Sequence, residues 1–275
     1  MHRRLIFLDI DGTLTEPGSN TPPASAQEAI RRARAAGHQV FLCSGRNYGM
    51  LSPLLPYGFD GVISSAGGCI QYGGQRIYDC PMTPEQQEKA LSVLEEHGVF
   101  RTAESFSRSY ADPGFKKFLL EKAGKNSEFL RWREQLEQDL GIRSMSEYQG
   151  EPIYKIVFMA PHAASLQGPR KALEDAFQFC LQEPDALGII HGELINRKFN
   201  KGAAIERLCR YLQVPLADTV AFGDSMNDLE MIQTAGLGVA MGNACQSLRK
   251  AARAVCPPVQ KDGLYRAFAQ YGFLD

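Results

Sequence analysis

One short stretch constrains this chain more than any other: Leu5-Ile6-Phe7-Leu8-Asp9-Ile10-Asp11-Gly12-Thr13-Leu14-Thr15. An unbroken apolar run of four residues has the length and composition of a strand buried on both faces, as in a parallel sheet. It ends on two carboxylates one residue apart, followed by a glycine. Paired anions repel, and each loses hydration on burial, so the arrangement calls for a cation between them. A chain that begins this way is constrained to be an α/β protein with a polar site at the carboxyl end of its first strand.

The rest of the chain continues the alternation. A helix is expected from Pro23 to Gly37, with strands over residues 39–43 and 61–65. After an inserted stretch, a helix over 201–212 leads to a strand over 219–222. A helix over 229–235 and a strand over 237–241 follow. Strand–helix alternation of this kind builds a parallel sheet with crossover helices. Between the two halves the pattern changes. Thr83-Pro84-Glu85-Gln86 reads as a capping box with Pro at the first helical position, opening a helix that ends near His97-Gly98. Helices over 127–140 and 168–179 and a strand over 153–159 then make up an α+β unit of about 100 residues, a normal domain size. The expected organisation is a Rossmann-like α/β core made of residues 1–82 and 189–275, with an inserted α/β (α+β) cap domain over 83–188. An insert that leaves and rejoins next to motif-bearing segments is placed to act as a lid.

Composition removes other classes. The 275 residues carry 30 basic and 31 acidic side chains, a formal net charge of -1. Lys and Arg cluster no further than pairs such as Arg31-Arg32, which argues against nucleic acid or an anionic membrane as a partner. The 7 Cys are scattered without a Cys-x-x-Cys pair. They read as reduced thiols of a cytoplasmic protein, not as a disulfide framework or a zinc site. Asp9 and Asp11 interrupt the first apolar run too early for a signal peptide, and no stretch has the apolar length of a membrane span.

Three strands end in polar clusters: Asp9-x-Asp11, Ser44-Gly45 and Gly223-Asp224-Ser225-Met226-Asn227-Asp228. In an open parallel sheet the carboxyl ends of the strands converge on the ligand. The donors gathered there are hard oxygens, which suit Mg2+. Lys201, opening a helix, adds a fixed positive charge; Lys198 competes with it for that role. A carboxylate attacking a phosphate monoester needs neutralising charge from such groups. Ser44 and the backbone N–H groups around Ile10 and Gly45 can donate to phosphate oxygens. Asp11 can serve as the proton donor that a metal-bound carboxylate cannot be. The run from Gly236 to Gly242 enters a strand instead of leaving one, so it is not a dinucleotide fingerprint. Phe115-Lys116-Lys117-Phe118 reads as a solvated helix face, while Tyr154 and Lys155 stay undecided.

Asp9-Ile10-Asp11-Gly12-Thr13, Ser44-Gly45-Arg46, Asn200-Lys201-Gly202 and Gly223-Asp224-Ser225-Met226-Asn227-Asp228 resemble, in order and spacing, the four motifs of the haloacid dehalogenase superfamily. The insert between the second and third motifs is similar to that of its Cof-type phosphatases, as are the stretches from Gly238 to Ala244 and Lys261-Asp262-Gly263. The resemblance implies a Mg2+-dependent phosphatase that hydrolyses a small phosphorylated metabolite, a sugar or polyol phosphate, through an aspartyl-phosphate. Asp9 would be the nucleophile and Asp11 the general acid/base. Asp9, the Asp11 backbone carbonyl and Asp224 would hold Mg2+, with Asp228 close behind. Ser44, Lys201 and Asn227 would bind the phosphoryl group. One departure stands out: Ala66 lies where the subfamily commonly has Asn. The rival readings are a phosphomutase or phosphotransferase, and a regulator that binds a phosphorylated ligand without turnover. Oligomeric state is not legible.

Overall fold

The computed structural model describes residues 3–114, 142–182 and 188–275. The expected helix over 127–140, the stretch from Phe115 to Phe118 and Trp132 lie outside them. Strand β1 (Leu5–Leu8) leads to helix α1 (Ala24–Ala35), β2 (Gln39–Cys43), β3 (Gly61–Ser64) and the hairpin of β4 (Cys69–Tyr72) and β5 (Gln75–Asp79). Then come α2 (Pro84–Glu96), β6 (Phe100–Ser105), β7 (Ser109–Ala111), β8 (Ile142–Ser144), β9 (Ile153–Ala160), α3 (Gln167–Leu173), β10 (Phe177–Leu181) and β11 (Ile190–Asn196). The chain closes with α4 (Lys201–Leu212), β12 (Thr219–Gly223), α5 (Leu229–Thr234), β13 (Leu237–Ala240), α6 (Gln246–Ala251), β14 (Ala254–Val255) and α7 (Gly263–Gln270).

These elements form two compact units. One comprises residues 1–46, 51–79 and 199–275, the other residues 47–50 and 80–198. The first is built on an eight-stranded sheet of order β14-β13-β12-β1-β2-β3-β4-β5. From β14 to β3 it is parallel, and β4 and β5 close it antiparallel. Strand β1 sits at the centre, with Leu5 opposite both Thr219 and Gln39, so all four of its side chains are buried. On one face Leu5 and Phe7 join Ala204, Ile205, Leu208, Met231 and Ile232 of α4 and α5. On the other, Phe222 meets Phe268 of α7 at 5.5 Å between ring centroids. Helices on both faces explain why β1 reads as a continuous apolar run.

The second unit holds a six-stranded sheet of order β10-β11-β9-β6-β7-β8. It is antiparallel except for β7 with β8. Helix α2 begins as the sequence suggests: Gln86 N donates to Thr83 Oγ1 at 3.2 Å, and Thr83 N donates to Gln86 Oε1 at 3.1 Å. Its Ala90 and Leu94 pack with Leu173, Ile156 and Phe158 in this unit's core.

The helix expected over 168–179 is corrected, and two further features of the fold come from the structure alone. The helix expected over 168–179 ends at Leu173, and Phe177–Leu181 is a strand paired with β11. Its aromatic, alternating residues suit an edge strand better than a helix turn. The unit that holds the insert runs to Lys198, ten residues past 188, because β11 pairs with β9 and β10. The hairpin of β4 and β5 was unforeseen, although Gly73-Gly74 between them is a strong turn signal.

Candidate active site

The parallel strands deliver their polar clusters to one place. Asp9 follows β1, Ser44 follows β2 and Asp224 follows β12. Ligand oxygens of Asp9, Asp224 and Asp228 lie within 4.8 Å of one another. Lys201 Nζ stands between two of them, donating to Asp9 Oδ1 at 2.7 Å and to Asp228 Oδ1 at 2.6 Å. The third motif works residue by residue. Asn200 caps α4, its Oδ1 accepting from Ala203 N at 2.7 Å. Lys201 then enters the site with its side chain 1% exposed. Gly202 lets α4 approach α5, since a Cβ there would lie 2.5 Å from Thr234 Oγ1. Lys198, the competing lysine, is exposed.

The cluster carries a surplus of negative charge. Burial pushes Asp9 up to about 7, with Asp228 adding repulsion and Lys201 opposing it. Burial likewise pushes Asp224 up to about 8, helped by Asp9 and Asp228. Burial works against the Lys201 charge, yet Asp228 and Asp9 outweigh it and hold the ammonium well above its ordinary range. The neighbouring thiol of Cys43 is driven upward by its own burial, which leaves it protonated and inert as a nucleophile.

The carboxylates differ in what already holds them. Asp228 is fully engaged, because Oδ1 accepts from Lys201 while Oδ2 accepts from Asp224 N at 3.0 Å and Ser225 N at 3.2 Å. Asp224 is not: its Oδ1 is buried without a hydrogen-bond partner. A buried, orphaned carboxylate oxygen beside a second buried carboxylate is unstable unless a cation compensates it. The donor set is oxygen only, so the group of Asp9, Asp224 and Asp228 fits a hard divalent ion. Gly12 makes room for this. Its φ is +84°, and a Cβ there would fall 2.2 Å from Asp224 Oδ2.

The other expected residues fall as follows. Ser44 is buried, and its Oγ accepts from Arg46 N at 3.1 Å. Ile10 is buried, with its carbonyl accepting from the amides of Thr13, Leu14 and Thr15. Gly45 is buried beside them. Asn227 is exposed and its Oδ1 accepts from Ser225 Oγ at 2.7 Å, so its amide is turned along its own loop. Asp11 points to Arg46, which binds it through Nε and Nη2. In the second unit Lys155 is buried and pairs with Glu193 at 2.5 Å and Glu104 at 3.4 Å.

Two further residues shape the site. Arg46 takes Asp11 in a fork, and Asn243 Nδ2 donates to the Gly12 carbonyl at 2.8 Å and to Asp224 Oδ2 at 3.4 Å. Arg46 stands three residues past the end of β2, and nothing in its local sequence announces the acid it binds. Ala66 also has a clear position. With Ser65 it adopts left-handed backbone, φ +57° and +50°. Asn tolerates that conformation better than Ala does.

Comparison with known proteins agrees with this geometry. The family model for haloacid dehalogenase-like hydrolases matches residues 6–268. Among curated relatives, YkrA of Bacillus subtilis is 30% identical over 100% of both chains. The phosphatase YwpJ of the same organism is 27% identical, over 92% of this chain and 94% of its own. An HMP-PP phosphatase of Yersinia enterocolitica is 29% identical, over 90% and 86%. A haloacid dehalogenase-like hydrolase structure from B. subtilis superposes with a TM-score of 0.79 at 25% identity, covering 97% and 99%. The subclass IIB sugar phosphatase BT4131 shares the fold, with a TM-score of 0.78 at 22% identity, covering 98% and 99%. The chain therefore belongs to the haloacid dehalogenase-like hydrolases, as a Cof-type member and a phosphoric monoester hydrolase.

Proposed function

We propose that the protein is a Mg2+-dependent phosphatase of small phosphorylated metabolites, sugar or polyol phosphates among them, and that it works through an aspartyl-phosphate on Asp9. The observation that carries this reading is the Asp9–Lys201 contact of 2.7 Å inside an acidic cluster with an orphaned Asp224 oxygen. Relatives named for HMP-PP and phosphoglycolate, and a fold neighbour named a sugar phosphatase, support the small-substrate class. Mg2+ bound by Asp9, the Asp11 carbonyl and Asp224 would supply neutralising charge between the nucleophile and the phosphate.

The chain's own groups carry the steps. Lys201 fixes the Asp9 carboxylate and neutralises part of the charge on the phosphoryl oxygens. Ser44, Asn227 and the backbone amides around Ile10 and Gly45 donate to those oxygens; Asn227 must turn away from Ser225 to do so. Asp9 attacks phosphorus, and the bond to the leaving oxygen breaks as Asp11 passes that oxygen its proton. Asp11 then takes a proton from water, whose oxygen attacks phosphorus. The Asp9–phosphorus linkage breaks, and inorganic phosphate and both carboxyl groups are restored.

The test is a panel of sugar, polyol, pyrimidine and carboxylate phosphates, assayed for phosphate release with Mg2+ and with chelator. Release from at least one ester, abolished by chelator and restored by Mg2+, is expected. Turnover that survives exhaustive chelation, or none across the panel, would overturn the reading.

A further inference from the structure

Asp11 does not stand open at the site. Arg46 Nη2 donates to its Oδ1 at 2.9 Å and its Oδ2 at 3.0 Å, and Nε donates to Oδ2 at 3.2 Å. Gly18 N adds a bond to Oδ1 at 3.2 Å. The remaining arm of the guanidinium, Nη1, donates to Asn20 Oδ1 at 2.5 Å. The Arg46 side chain is 0% exposed. Its backbone is tied down as well, with N donating to Ser44 Oγ and O accepting from Ser65 N at 2.8 Å. One buried cation thus grips both ends of the segment that runs from Asp11 to Asn20, and it is itself anchored to the end of β2.

A fully buried arginine is costly unless its donors are satisfied, and a fold with no use for it would do as well with an apolar side chain. The fork also does something a lysine cannot. Two parallel N–H···O bonds fix the plane of a carboxylate, whereas an ammonium fixes only its distance. Without the fork, the plane of the Asp11 carboxylate would be held less tightly, and its aim at a leaving group would be less well defined. Misplacing a proton donor by about 1 Å can cost on the order of a hundredfold in rate.

We propose that Arg46, held in turn by Asn20, is a positioning residue for the acid/base step: it sets the orientation of the Asp11 carboxyl group toward the leaving oxygen and takes no part in phosphate binding. This rests on the reading of Asp11 as the general acid/base. The role has a signature that a purely structural one lacks. Formation of the phospho-enzyme needs a proton for an alkoxide leaving group and needs none for nitrophenolate. Loss of Asp11 positioning should therefore depend on the leaving group.

The experiment compares wild type, Arg46→Lys, Asn20→Ala and the double variant. Each is assayed for kcat/KM on an alkyl phosphate and on p-nitrophenyl phosphate, and for hydrogen exchange at the Gly18 amide. Arg46→Lys should lower kcat/KM on the alkyl ester by about tenfold or more, and on the nitrophenyl ester by no more than about twofold. Asn20→Ala should act selectively in the same direction with a smaller effect. The double variant should match Arg46→Lys alone, since Asn20 works through Arg46. Gly18 exchange should quicken in every variant. Equal losses on both esters in folded protein, or unchanged Gly18 exchange, would overturn the proposal. If Arg46→Lys does not fold, Asn20→Ala decides by the same criteria. Should wild type release phosphate from neither ester nor from any member of the metabolite panel, the phosphatase reading fails by itself, and Gly18 exchange still decides whether Arg46 holds the segment.

Discussion

Lys201 and Arg101 are both buried cations held by carboxylates, one in each compact unit, yet they are held in opposite ways. Arg101 Nη2 and Nε take the two oxygens of Asp112, each at 2.9 Å, while Nη1 reaches Glu95 at 2.8 Å and the Leu91 carbonyl at 2.7 Å. Burial opposes its charge, but Asp112 and then Glu95 more than restore it. No polar atom of Arg101 or Asp112 is left buried without a partner. Lys201 instead serves two of three acids, and the third keeps an orphaned oxygen. The first cluster has its buried polar atoms hydrogen-bonded and pins α2 to the start of β6. The second is unsatisfied, and two of its carboxyl groups are pushed up to about 7 and about 8. A satisfied buried ion network is a structural joint; an unsatisfied one has been left so for something that binds there.

The sharpest break of this comparison is in turnover. Asp9→Asn should lower kcat by at least about a thousandfold, as loss of a nucleophile does elsewhere, while the protein still folds. Arg101→Met should leave kcat/KM of the folded protein within about twofold, since Asp112, Glu95 and the Leu91 carbonyl, which Arg101 binds, belong to the second unit's own framework. Substantial activity in Asp9→Asn would remove the nucleophile from the mechanism. A large kinetic effect of Arg101→Met would show that the Arg101 cluster is not merely a joint.

Stability should separate the two clusters next. Arg101→Met leaves the Asp112 carboxylate with the residue 101 amide at 2.8 Å but without its countercharge, and denaturant unfolding should show a loss of about 3 kcal/mol. Asp224→Asn should do the reverse in chelator, gaining about 1–3 kcal/mol near neutral pH because folding no longer has to take up a proton at that buried carboxyl group. Saturating Mg2+ reverses that order. At a hundred times its Kd the ion should stabilise wild type by about 2.7 kcal/mol, and Asp224→Asn by far less. A loss of stability in metal-free Asp224→Asn would mean that the acidic surplus is not strained.

The same groups give a pH signature in chelator. Asp9 and Asp224 move from an ordinary 3.8 up to about 7 and about 8, so between those values the folded chain holds more protons than the unfolded one. Their contribution is fully present below about pH 4 and is lost as pH rises through 7 and 8. Stability of the metal-free protein relative to Asp224→Asn should therefore fall across that window. A difference that is flat or rising with pH would show that burial does not govern Asp224.

Much of this was legible in the sequence, for a physical reason. A parallel sheet places every strand's carboxyl end on one side, so an acidic or hydroxyl residue directly after an apolar run already has an address; Asp9, Ser44 and Asp224 were readable that way. Lys201 was readable through its helix start. What stayed hidden depended on pairing. Arg46 and Asn20 are 26 positions apart, and nothing local says that one guanidinium spans Asn20 and Asp11. The strand at Phe177 was hidden because five residues carry too little periodicity to outweigh the helix before them. The run to Lys198 was hidden because β11 belongs to its unit only through its partners.

The smallest prediction separates strain from charge. All four non-glycine residues with left-handed φ among the described residues, Ser65, Ala66, Gln213 and Asp262, lie in the first unit. Gln213 follows the last turn of α4 and Asp262 closes the 3-10 turn Val259–Lys261, C-terminal positions where such backbone is ordinary. Ser65 and Ala66 are not at such positions. Their turn follows β3, and the Ser65 and Ala66 amides donate to the carbonyls of Arg46 and Ser44. The left-handed region costs an alanine about 1–2 kcal/mol, while a glycine pays back about 0.5–1 kcal/mol through the unfolded chain. Ala66→Gly should therefore stabilise the protein by about 0.5 kcal/mol, a rise in Tm of about 1–2 °C for a domain of this size. The charges around Asp9 are untouched, so the Mg2+-dependent gain in stability should be unchanged. A loss of more than about 1 kcal/mol would show that the buried Ala66 methyl group packs well enough to outweigh the strain. A changed Mg2+ response would show that the turn at Ala66 helps to shape the acidic cluster, and that backbone strain and surplus charge in this unit form one device.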